Sequence, residues 1–182
     1  MQSVLFWSAA TLYALATAAY FVWAAFRREA WASAGRVLGV LALAPHAATL
    51  GLRWAEVGHG PYNTRYEVLS ADTFLLVLVW AIAGLLARGL QPLGLFVMPA
   101  AFLLMGWSVS TFELKAEVPI IFKSYWLALH IGFAKLFAAT VILAAACAAA
   151  YLVKRRRPEA LARLPGPAKL DLYAHQFLLV SF

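Results

Sequence analysis

Long apolar stretches separated by short polar ones give the chain its pattern. They run at about 4–26, 35–54, 68–87, 92–108 and 124–157. A helix crosses a hydrocarbon core of roughly 30 Å with about 20 apolar residues, so each stretch reads as a span. A sixth stretch, 172–182, starts like another helix but has too few residues to cross. The pattern predicts an all-α fold, a polytopic transmembrane helix bundle of five spans plus the start of a sixth. Residues 1–157 form the bundle, and 158–182 form a cytoplasmic loop and the partial sixth helix. That partial helix leaves three alternatives: the chain is a fragment, a partner chain completes the bundle, or the tail lies along the inner surface.

The connections orient the bundle. Arg27 and Arg28, Arg88, and the run Lys154 to Arg157 all fall where spans should end on one side. Lys and Arg stay on the cytoplasmic side of short loops, which puts the N-terminus outside in a multi-pass chain. Trp7, Trp54, Trp107 and Trp126 fall at the opposite ends, where aromatic belts form. Pro45 and Pro99 sit inside spans, a fault that neighbouring helices make tolerable in membranes. Two loops face outward. The first, RWAEVGHGPYNTRYE at 53–67, is polar and contains His59; the second, 109–123, carries Glu113, Lys115, Glu117 and Pro119.

Composition agrees with a lipid solvent: 64% of the 182 residues are hydrophobic and the mean hydropathy is +0.79. The formal net charge of +7 would suit nucleic acid on a polar face, but the cations cluster at the ends of apolar runs and read as topology signals. One cysteine, Cys147, leaves no internal disulfide and no CxxC pair, and it reads as helix packing. Residues 1–26 lack a basic n-region and a small-residue cleavage pattern, so the first stretch is expected to remain a helix. There is no phosphate loop, nucleophile elbow, HExxH or zinc spacing.

Four histidines are the candidates for chemistry. His130 lies on the longest stretch; counting about 20 residues back from Val153 puts it roughly 6 Å above the hydrocarbon, externally reachable. It is either an imidazole hydrogen-bonded at headgroup level or a metal ligand, including an axial ligand to haem iron. Lys135 falls at the membrane edge, where its stem can snorkel outward. His46 sits near the middle of its span, where a polar ring is costly; it is either functional or bonded to a neighbouring helix. Measured from the inner ends of their helices, His46 and His130 stand at about 15 and 35 Å, an obstacle to their clamping one haem. His59 is nearer to His130 in height, and His175 starts the last segment without a visible partner. Asp72 is expected to pair with Arg53 or Arg65 or to cap its helix, while Glu56, Arg65 and Glu67 read as ordinary loop charges.

Three stretches in order resemble the amino-terminal half of the cytochrome c assembly family of the CcsA/ResC/HemX type. They are RW, GP and YE spaced within 53–67, PLGLFVMPAAFLLM at 92–105, and SYWLALHIGFAK at 124–135. The terminal LDLYAHQFLLVSF is similar to the segment opening that family's next helix. The resemblance implies a haem-handling membrane subunit of cytochrome c maturation, presenting or transporting haem b at the outer face. His130 then matches the family's first external histidine, with Trp126 beside it and His46 and His59 as further cofactor-binding candidates. The family's tryptophan-rich haem loop and second external histidine are not in this sequence. The implied partners are therefore membrane lipid, another membrane subunit supplying that loop, and apocytochrome c, in a haem lyase (cytochrome c synthetase) complex. Two alternatives stand beside it: a structural or transport-associated membrane subunit that lacks a haem site, and a small bis-histidine cytochrome b built on His46.

Overall fold

Lipid-facing sequences satisfy their backbone polar groups within helices. The computed structural model, which describes residues 1–111, 124–159, 161 and 163–181, contains six α-helices and no strand among them. They are α1 (Gln2–Phe26), α2 (Glu29–Val57), α3 (Arg65–Leu86), α4 (Gly94–Ser110), α5 (Tyr125–Arg156) and α6 (Pro167–Ser181). The first three, α5, and the segment Arg88–Ser110, in which a 3-10 turn at Arg88–Leu93 leads into α4, are long and apolar enough to cross a membrane. The bundle class read from the apolar pattern is thus borne out. The loop carrying Glu113, Lys115, Glu117 and Pro119 lies outside the described residues, as does Phe182.

Boundaries moved where local chemistry overrode hydropathy. Helix α2 begins at Glu29 and runs to Val57, where Gly58 caps it with φ of 76°, a left-handed conformation that suits glycine. Helix α3 begins at Arg65, because Thr64 and Glu67 form a reciprocal capping box. The first polar loop is therefore only 58–64, and Arg53 and Glu67 are helical. Helix α6 opens at Pro167, a first-turn position where the missing N–H costs nothing. Pro45 and Pro99 both lie inside continuous helices.

Tyr20 organises the packing at the end that carries the arginine clusters, called the basic end below. Its hydroxyl donates to the Gln91 carbonyl at 3.0 Å, its ring meets Trp80 edge-on, and α2 and α4 reach it through Gly35 and Gly94. A methyl group on Gly94 would overlap the Tyr20 ring. Gly94→Ala is expected to cost about 1–3 kcal/mol through overpacking. Gly51→Ala, where nothing lies within 4 Å of the new carbon, is the control in a thermal unfolding series in detergent.

The core draws on all six helices and includes Tyr13, Ala42, Trp80, Met98, Met105, Leu143 and Cys147, the last a buried free thiol. Helix α6 packs along α5, burying Leu170. Lys154 of α5 fastens the connection between them by donating Nζ to the Leu164 and Pro165 carbonyls. The first turns of α5 are different. Trp126 is 76% exposed and Phe133 63%, so that part of the helix stands clear of the other described elements.

Candidate functional site

The polar chemistry gathers at the end opposite the basic clusters and in the layer beneath it. At the α2–α3 corner Arg53 Nε donates to Glu67 Oε1 at 3.0 Å, with both side chains almost wholly buried. The second carboxylate oxygen of Glu67 accepts from the Asn63 and Thr64 backbone amides, and Thr64 Oγ1 accepts from the Glu67 amide. His59 lies over this lock, its Nδ1 2.7 Å from the Gly60 carbonyl and 3.9 Å from Glu67. Glu67 is therefore no ordinary loop charge. The arginine of RW and the glutamate of YE are the two halves of a buried ion pair.

Below this corner, His46 is fully buried at the meeting of three helices. Its Nδ1 is 3.0 Å from the Tyr13 hydroxyl on α1 and its Nε2 is 3.1 Å from Ser70 Oγ on α3. The Tyr13 and Phe74 rings pack edge-on against it. Both nitrogens are engaged. An iron could reach this imidazole only after a hydroxyl was withdrawn and a ring displaced.

Asp72 pairs with neither Arg53 nor Arg65 and does not cap its helix. It accepts from Lys135 Nζ on α5 at 2.7 Å, and the same ammonium donates to the Val68 carbonyl at 3.2 Å. Instead of snorkelling to water, Lys135 pins α5 to α3. This tie also corrects the depth arithmetic. Val68 and Asp72 bracket Ser70, the partner of His46, while His130 lies five residues beyond Lys135, about 7.5 Å by helical rise. The two histidines therefore differ in height by on the order of 10 Å rather than 20 Å. The earlier figure failed because α2 starts at Glu29, well before the residue from which the rise was counted. What separates His46 from an external ligand is its enclosure, more than its depth.

His130 and Trp126 are exposed on the first turns of α5, and among the described residues His130 makes no hydrogen bond. An exposed imidazole could serve as a metal ligand, and the Tyr125 and Trp126 rings beside it are exposed apolar surface. Among the described residues no group of three His, Cys, Asp or Glu side chains could hold a metal ion. Of the four cofactor-binding candidates, the structure puts His59 on the Glu67 lock, His46 in the buried Tyr13–Ser70 bridge, and His130 and Trp126 on the open face. Sequence reasoning missed Tyr13, Ser70 and the partners of Glu67 and Lys135. Thr64-x-x-Glu67 was a readable capping signal; the interhelical pairs carried none, because helix rotation decides them.

These features define a multi-pass membrane protein with a buried polar core and one accessible imidazole at the end opposite its basic clusters. The chain is similar to curated proteins named Cytochrome c biogenesis protein CcsA. The relative from Nostoc punctiforme is 30% identical over 114 residues, covering 60% of this chain and 32% of the relative. Those from Crocosphaera subtropica (28% over 142 residues, 75% and 42%) and Trichodesmium erythraeum (29% over 142 residues, 74% and 39%) agree. The likeness drawn from the motifs is borne out, and the coverage is consistent with an amino-terminal half. The chain spans about a third to two-fifths of the length of the curated relatives it matches. No family model matches it, and no solved structure does so either.

Proposed function

We propose that this chain acts in cytochrome c biogenesis as a haem-handling subunit of a bacterial inner membrane, with its N-terminus and His130 on the outer face. The carrying observation is His130 itself, an exposed imidazole without a hydrogen bond among the described residues, on a helix end that no other described element covers. The likeness to proteins named for cytochrome c biogenesis supports the pathway. The basic end, with Arg27, Arg88 and Arg155 to Arg157 together, supports the orientation.

In this reading His130 would hold haem b through an imidazole nitrogen, and Trp126 and Tyr125 would offer flat apolar surface. Haem supplies the redox-active iron and the vinyl groups that thiols of an apocytochrome c can attack. The chain's own part is positioning: Lys135, held by Asp72 and the Val68 carbonyl, fixes the height of α5 and so of His130. One imidazole alone would hold haem weakly. A second membrane subunit or segment with a tryptophan-rich loop is the proposed partner, in an assembly that would act as a haem lyase.

A second reading, a structural or transport-associated subunit, draws on the satisfaction of His46 and His59 within the chain. The bis-histidine cytochrome b is disfavoured by the same hydrogen bonds. The deciding experiment is a reduced-minus-oxidised visible spectrum of the chain purified with and without co-expressed neighbours. A haem band is expected only with a partner, and His130→Ala should lower haem content by roughly tenfold or more, with His175→Ala as the control. Unchanged loading in His130→Ala would remove His130 as a ligand; no band in any preparation would leave the structural reading.

A further inference from the structure

Between α2 and α3, in the half of the bundle nearer the basic end, runs an open groove of about 300 Å³. Arg36 stands at its basic end, and Val37, Val40 and Leu41 of α2 face Trp80 and Leu85 of α3 along its length. The aliphatic walls are exposed: Val37 at 49%, Leu41 at 55% and Leu85 at 78%. Among the described residues Arg36 forms no ion pair. Trp80 buries its indole Nε1–H without an acceptor among them. On α3, Trp80 is five residues from Leu85, about 7.5 Å towards the bilayer centre.

We infer that this groove is a selective site for an anionic glycerophospholipid of the leaflet at the basic end. The polarity of the groove matches that of the lipid. A guanidinium at headgroup level takes the phosphate; the walls leading towards the midplane take an acyl chain. Basic pockets between spans are a recurring way to hold anionic headgroups. A free phosphate would satisfy Arg36 and leave the walls uncovered, so the lipid is the occupant the lining favours. This inference does not depend on the haem reading.

The test is native mass spectrometry of the purified chain after exchange into detergent containing phosphatidylglycerol, phosphatidylcholine or excess inorganic phosphate. Wild type should keep phosphatidylglycerol adducts in preference to phosphatidylcholine, and phosphate should not displace them. Arg36→Gln should lower phosphatidylglycerol retention by about fivefold, the worth of one basic residue at an anionic surface. Arg28→Gln, outside the groove, should leave it unchanged. Val40→Trp, which fills the exposed wall without touching a charge, should lower retention of the lipid as well. Equal retention of both lipids, an equal loss in Arg28→Gln, retention unaffected by Val40→Trp, or displacement by phosphate would each overturn the assignment. Circular dichroism of each variant separates lost binding from lost folding.

Discussion

Glu67→Ala is expected to cost this protein about 3–5 kcal/mol, the usual penalty for removing one member of a buried ion pair. The substitution takes the carboxylate from the Arg53 guanidinium, which is 3% exposed. It also takes the acceptor from the Asn63 and Thr64 amides, and so undoes the start of α3. Arg53→Ala should be milder, because Glu67 keeps its two backbone donors. The double variant Arg53→Met, Glu67→Leu should recover part of the loss, since apolar groups of similar volume often replace buried pairs at little cost. It will not recover the capping share, about 1 kcal/mol. Denaturant titration in mixed micelles measures the series. Losses that simply add between the single variants would show that Arg53 and Glu67 do not act as a pair.

His46→Ala should be the next most damaging, at about 2–4 kcal/mol from a cavity and two orphaned hydroxyls. Tyr13 and Ser70 both lose their partner. Ser70 can turn back to the carbonyl one helical turn earlier, and interhelical hydrogen bonds in membranes are worth about 0.6 kcal/mol on average. The estimate therefore stays below that for Glu67. His46→Gln, which can still bridge two hydroxyls, should restore roughly half. The same variants discriminate function: if His46→Ala abolished a haem band while leaving unfolding unchanged, His46 would be a ligand and the structural bridge an error.

Much of the architecture was legible because it depends on one-dimensional quantities. Run length against bilayer thickness gave the five spans, and the clustering of Arg and Lys marked one end of the bundle without reference to any contact. Cys147 as packing was equally plain, since a lone cysteine in an alanine-rich span has few alternatives. Hydropathy failed at the boundaries. The starts of α2 and α3 and the opening of α6 depend on capping and first-turn chemistry, with polar residues inside helices that a hydrophobicity count had assigned to loops.

The candidate site was legible only in part. His130 and Trp126 could be placed near a membrane surface from residue counting, and both are exposed on the first turns of α5. The roles of Asp72, Lys135 and Glu67 could not be read, because each depends on which face one helix turns to another. Sequence by itself determined the number of spans and the segregation of charge, since those follow from length, composition and order along the chain. Tertiary structure alone decided that Arg53 meets Glu67, that Lys135 meets Asp72, and that Tyr13 and Ser70 enclose His46. Those pairings follow from helix rotation and depth, which in a bilayer are set by packing and by the cost of leaving a polar group unpaired.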